Sequence, residues 1–487
     1  MPARKENKRA ARSTATRRKT AAPGAAVLVV NMIPKSLSGE QHQDSEPTIA
    51  VNPANPLQIA GTAFTPDPAH GNRAPIYVST DGGNTWTLNS IVPSSAADGS
   101  ATADITVAFA SASNNLYAGI VRLPFPADRP RLNILRTSNF QSASPMMVLV
   151  DRTGRGVDQP FVQAITVSGG PNKGKDRVYV GDNDFNAPGG RTATVDESAN
   201  AGGANPAFHS VRIEKRATPG QDGPSVRPAA HADGTVYAAF YSWRSFNSST
   251  GAGTADIVVV RDDQGGTGLN PFTALIDPAD GRAGIRVARG VRFTFGSFLG
   301  LQRIGGDVSI AIDPSNSSAV YLAWADYQGS TYTLHVRRSI NRGVTWSGAD
   351  LRTVFNATNP ALAINSASKI GFLYQQLSGL GASQRWVSKL ELSAGGANWT
   401  SLVLATVAAN VPPKQFDPYI GDYDHLLAVG KDFYGVFSAN NTPNNANFPN
   451  GVVYRRNANF ATHTLLDVDN RTPVNVSIDP FFFRVLG

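Results

Sequence analysis

An all-β fold of short, repeated strands is what this sequence predicts, and three observations predict it. The chain of 487 residues carries 46 glycines and 32 prolines, too many turn formers for a helical protein and without the strict period of collagen. Strong helix formers are thin on polar positions: only six glutamates occur, and charged residues make up 16% of the chain. Seven times an acid or amide opens a short apolar run, at intervals between 52 and 85 residues.

Those openings are Glu46 in EPTIAVNP, Asp104 in DITVAFAS, Asp158 in DQPFVQAI, Asp222 in DGPSVRPAA, Asp307 in DVSIAIDP, Asn359 in NPALAIN and Asp417 in DPYIGDYD. Each is followed by a second strand rich in small and aromatic residues, such as LQIAGTAF, GTVYAAFY and AVYLAWAD. A third strand follows in most units (APIYVST, ADIVVVRD), and a fourth, outer one in several (WTLNSIV, HTLLDVD). Four strands per unit at this spacing predict a β-propeller, because one blade cannot bury both faces and radial stacking buries them for all. Seven openings predict seven blades, or six if the irregular third unit is not one. The stretch 277–305 makes the fourth interval long and reads as a loop or insertion on one rim. The run AAVLVVNM at 25–32 has the length and position to complete the last blade and close the ring. Residues 25–487 are thus read as one domain.

The charge lies elsewhere. Of a formal +8, the first 24 residues contribute eight bases (Arg4, Lys5, Lys8, Arg9, Arg12, Arg17, Arg18, Lys19) against Glu6, so the body is nearly neutral. This tail has no apolar face and is expected to be disordered. It reads as a solvated extension or as a handle for an acidic protein or nucleic acid, whereas the near-neutrality of the body argues against a nucleic-acid binder as a whole. No run approaches the ~18 apolar residues of a membrane helix. Cysteine is absent, which removes disulfides, thiolate metal sites and a cysteine nucleophile. That fits the cytosol or export; the reading leans to an exported or extracellular protein of bacterial type, although Pro23–Gly24 interrupts the apolar stretch a cleavable leader needs.

The octet STDGGNTW at Ser79–Trp86 is a full S-x-D-x-G-x-T-W box, SINRGVTW at Ser339–Trp346 repeats it with Asn341 in the acid's place, and SAGGANW at Ser393–Trp399 is a shortened echo. With the strand repeat, these boxes resemble the Asp-box (BNR) repeats of sialidase-like propellers over roughly residues 40–470. The resemblance implies that the boxes are structural and lie on the face away from the binding site. Ser79, Asp81, Gly83, Thr85 and Trp86, with Ser339, Asn341, Gly343, Thr345 and Trp346, are therefore expected to fix hairpins.

A sialidase of this family would clamp a carboxylate with three arginines and use a tyrosine nucleophile activated by a glutamate, with an aspartate as acid/base. The Phe/Tyr-Arg-Ile-Pro motif that carries the first arginine is missing before Ser79, where Arg73 follows the tail in HGNRAP; VRLPF at Val121–Phe125 is the nearest match. Catalytic residues are left unassigned, and exo-α-sialidase or related glycoside hydrolase activity stands as one reading beside recognition of a glycan or polar polymer. A third is an interaction or cargo propeller loaded through its tail.

Inner strands begin at one mouth of the channel, so the openings are expected to form a ring there. Glu46, Asp104, Asp158, Asp222, Asp307 and Asp417, with the Asn359 amide, would offer hard oxygens suited to Ca²⁺, or would each cap backbone amides of a neighbouring blade. In FDPYIGDYDHL, Asp417, Tyr419, Asp422, Tyr423 and Asp424 pair aromatic faces with acceptors, as sugar recognition does. Asp182 and Asp184 in YVGDNDFN and Asp326 in AWADYQG offer comparable strand ends, ordinary Asx-turns being the alternative. Arg227 and Arg303 are the arginines near openings that could bind an acidic group. The seven histidines show no zinc-ligand spacing.

Overall fold

A computed structural model describes residues 27–64, 74–93, 101–123, 130–153, 156–294, 307–412 and 420–487. Among these residues lie six four-stranded antiparallel sheets, one five-stranded sheet and one of three strands. In chain order the first six, called sheets 1 to 6, begin with Ser45–Val51, Ala101–Phe109, Val157–Thr166, Arg227–Ala230, Val308–Asp313 and Ala357–Ile364. Each runs first, second, third, fourth strand, with antiparallel neighbours throughout. The first strands touch in sequence from sheet to sheet, and those of sheets 6 and 1 both meet His425–Val429 of the five-stranded sheet 7. Their contacts form a closed cycle, the arrangement of a β-propeller.

Sheet 7 is completed from both ends of the chain. Ile478–Val485 pairs antiparallel with Asp432–Asn440 on one side and with Val27–Asn31 on the other. Val30 and Asn31 also pair in parallel with Val453 and Tyr454. The early apolar run thus closes the cycle, and Phe481, Phe482 and Phe483 are fully buried behind it.

Sheet 4 departs from the loop expected at its outer edge. Ile285–Thr294 is its fourth strand, paired with Ala252–Asp262. IRVARGVRFT buries Ile285, Val287, Val291 and Phe293 while its arginines and Gly290 lie at or toward the surface, the pattern of an edge strand with one covered face.

The third-to-fourth-strand turns show why the boxes need their residues. The Ser79 hydroxyl accepts from Gly83 N–H (2.9 Å), Asp81 accepts from the Thr85 amide and hydroxyl (2.9 and 2.6 Å), and Trp86 Nε1 donates to Gly83 C=O (3.0 Å). Ser339, Asn341, Gly343, Thr345 and Trp346 repeat the pattern, with Gly343 N–H to Ser339 at 2.9 Å and Trp346 to Gly343 C=O at 3.2 Å. The shortened copy keeps both ends, Gly396 N–H to Ser393 and Trp399 to Gly396 C=O. In sheet 4, Asp262 takes the serine's place and accepts from Gly266 N–H at 2.9 Å, a substitution the octet pattern does not reveal. Gly83 has φ +87°, and a Cβ there would strike the Phe482 ring of sheet 7, so each box also seats its sheet on a neighbour.

Candidate functional site

Antiparallel order puts the starts of first strands and the ends of second strands on one face, opposite the box turns. On that face Glu46, Gln159 and Asn359 have φ of +52°, +51° and +54°. Each precedes a proline, and each sits where strand register breaks, between Ser45 and Thr48, Asp158 and Phe161, and Thr358 and Ala361. These bulges turn one side chain toward the axis at a backbone cost of about 1 kcal/mol each. The proline frame also shifts two openings by one residue: Gln159, not Asp158, and Gly223 (φ +86°), not Asp222, stand where Glu46 and Asn359 stand.

The turned side chains meet the segment Gly421-Asp422-Tyr423, which leads into sheet 7 and crosses the axis. Asp422 N–H donates to Glu46 Oε1 (3.0 Å), and Gln159 Nε2 donates to Asp422 Oδ2 (3.1 Å). Asn359 Nδ2 donates to Gly421 C=O (3.3 Å), and the Tyr423 hydroxyl donates to Asp104 Oδ1 (3.3 Å). Arg227 lies over the Phe161 and Tyr423 rings, 3.5 and 5.3 Å from their centroids, and ion-pairs with Asp307. One tripeptide therefore binds groups from sheets 1, 2, 3, 4 and 6, and sheet 5 through Asp307.

This hub is closed to solvent. Tyr423 is 1% exposed, so the ring expected to stack on a sugar is covered by Arg227 instead. Burial, with Asp104 and Glu46 alongside, pushes its phenol well up. Asp422, Asp424, Asp104, Arg227 and Asp307 are buried as well. Burial also raises the Asp424 carboxyl, whose Oδ1 accepts from Ser438 N–H. His425 accepts from Ile49 N–H through Nδ1 (3.2 Å), and burial beside Arg227 pulls its imidazole down to about 3, so it is neutral. Beneath the hub, cavities of about 190 and 350 Å³ share Gln163, Ala230, Ile312, His425, Leu427 and Ala428, giving an axial channel with both polar and apolar lining.

The other strand ends do different work. Asp182 is fully buried, accepts from the Thr194 hydroxyl (2.6 Å), and is pushed well up by burial and by Asp196, which Arg152 grips with both nitrogens. Asp184, also buried, accepts from Asn186 N–H in an Asx-turn. Asp326 is partly exposed and accepts from Arg292 N–H and Gln328 Nε2, both at 2.9 Å. Asp417, Tyr419, Arg73, Arg303 and the tail lie outside the described residues.

Beside the hub, a cavity of about 340 Å³ is lined by Phe64, Asp104, Asp158, Gln159, Phe185 and Asp222. Here three of the openings, from sheets 2 and 3 and the approach to sheet 4, come together. Phe64, Asp158, Phe185 and Asp222 are partly exposed. Arg191 stacks on Phe185 (3.9 Å to the centroid) and lies 3.6 Å from Asp222. Phe185, at the polar-aromatic end YVGDNDFN of a second strand, closes one wall.

No family model matches this chain, and neither does any curated protein. Among solved structures, it is similar to the Penicillium chrysogenum α-L-arabinanase complexed with arabinobiose, at 12% identity over 93% of this chain and 97% of that one (TM-score 0.43). It is similar to the α-L-arabinofuranosidase Arb93A from Fusarium graminearum, at 10% identity over 93% and 97% (TM-score 0.43). A leech intramolecular trans-sialidase matches at 11% identity over 71% of this chain and 66% of that one (TM-score 0.43).

Proposed function

We propose that the chain is a seven-bladed, sialidase-like propeller that binds a glycan or similar polyhydroxylated polymer in the cavity beside its hub. One observation carries this reading: Asp104, Asp158 and Asp222 share a 340 Å³ cavity with the rings of Phe64 and Phe185. Carboxylates accept from sugar hydroxyls, and aromatic faces cover the apolar C–H faces between them. The buried hub serves this site as a rigid floor. Binding to a glycan array is expected for the wild type and is expected to fall at least tenfold in Asp158→Ala and Asp222→Ala. Undiminished binding by both variants would remove the site.

A second reading, glycoside hydrolysis, is favoured by the carboxylates of Asp104, Asp158 and Asp222 lining one cavity. Two such carboxyl groups can supply the proton donor and the base or nucleophile of that reaction, whereas Tyr423, buried under Arg227 with its phenol pushed up, holds Asp104 in place. Release of a fluorogenic aglycone, abolished by Asp158→Asn, is the expected signature. Silence across sialosides and arabinosides leaves recognition alone.

A further inference from the structure

Far from this cavity, the ring closure contains a second acidic cluster. Glu40, Asp44 and Asp479 each bring a carboxylate oxygen within 4.8 Å of the others, and their exposures are 5%, 0% and 0%. Glu40 and Asp44 lie between the closing strand Val27–Asn31 and sheet 1, and Asp479 lies on Ile478–Val485. Asp479 accepts from Asn31 Nδ2 (2.6 Å), Asn441 Nδ2 (2.7 Å) and Arg456 Nη1 (3.1 and 2.9 Å). Arg456 is entirely buried and is the cation facing the three acids; His42, at Glu40 Oε1, has a half-exposed side chain.

Of the four remaining oxygens, Glu40 Oε1 accepts from His42 N–H and three are unsatisfied. Neither oxygen of Asp44 has a hydrogen-bond partner, nor has Glu40 Oε2. A different kind of group points to the same place: the Tyr77 hydroxyl, on a residue 0% exposed, also has no partner, and the charges acting on it are Asp44, Glu40, Asp479 and Arg456. Three buried carboxylates facing one guanidinium hold a negative charge that is costly to bury unless a cation or a proton offsets it.

We propose that Glu40, Asp44 and Asp479 hold one Ca²⁺ ion that locks the closing strand to the first and last sheets. The donors are all hard oxygens, which selects the alkaline-earth class over zinc or copper. Asp44, with both oxygens open, suits the bidentate mode that Ca²⁺ accepts more readily than Mg²⁺. A divalent cation brings the cluster to neutrality, and a water in its shell would take the Tyr77 hydroxyl.

The test uses the full chain, stripped with EDTA and then titrated with CaCl₂ or MgCl₂. Calcium near saturation is expected to raise the melting temperature by about 2–5 °C, with about one calcium per chain retained after dialysis, by elemental analysis. Tb³⁺ is expected to bind with tyrosine-sensitised emission that Ca²⁺ displaces. Asp44→Asn is expected to lose both calcium and the melting shift, and the milder Tyr77→Phe to keep calcium while dimming the emission. An EDTA-stripped wild type whose melting ignores Ca²⁺ would overturn the assignment, and this needs no variant to fold. So would an Asp44→Asn protein that keeps its calcium, or stabilisation by Mg²⁺ alone.

Discussion

Arg227 holds the hub together, and its loss can be worked out from its neighbours. Arg227→Met keeps most of the apolar stem but removes the cation facing Asp307, a residue 1% exposed whose Oδ1 accepts from Val308 N–H. Breaking one side of a buried ion pair costs about 3–5 kcal/mol, mostly from the charge left behind. Loss of the guanidinium from the Phe161 face adds about 0.5–2 kcal/mol. Asp307→Asn alone should cost a similar amount, since it strands the arginine. The double variant buries no charge and should lose only about 1–2 kcal/mol, so the two changes are far from additive. Urea denaturation followed by tryptophan fluorescence reads this as a shift of midpoint at constant slope. Additive losses, or an Arg227→Met cost below about 1 kcal/mol, would refute the reasoning.

Two further outcomes follow from single groups. Burial lifts the Glu197 carboxyl to about 7, against the pull of Arg177, so the folded state holds a proton that the unfolded state gives up near 4.5. Stability should therefore fall as pH rises from 4.5 to 7 and stay low above it; Glu197→Gln should flatten that slope and gain about 2 kcal/mol at pH 8, measured by denaturant midpoints across pH. Gly421 has φ +79°, and a Cβ there would lie 2.3 Å from Glu46 Cγ. Gly421→Ala should cost about 2–4 kcal/mol and lower the melting temperature, while Gly430→Ala, also at positive φ but with open space around it, should cost about 1.

Much of the frame was legible because it repeats. Small and aromatic second strands and acid-led first strands recur at blade spacing, and the run at 25–32 announced the closing strand by length and apolarity. The site was less legible, for reasons of geometry. A bulge adds one residue without changing composition, so Asp158 looked like the counterpart of Glu46 when Gln159 takes that position. Tyr423 carries the composition of a sugar platform, yet nothing local says that Arg227, almost 200 residues earlier, covers it. The arginines of Ile285–Thr294 masked an edge strand, because alternation with charge resembles a polar loop. Glu40 and Asp479 come from opposite ends of the described chain, and no window of sequence can hold both.

The placement of Ile478–Val485 between Asp432–Asn440 and Val27–Asn31 constrains biosynthesis. During translation the early strand has no partner until nearly all later residues have left the ribosome, so sheet 1 waits with an open flank. Such long-range pairing is slow and leaves strand borders available to other chains. Loss of those eight residues would remove more than an outer ribbon: it would detach Val27–Asn31 from Asp432–Asn440 and leave only two strands of that sheet in place.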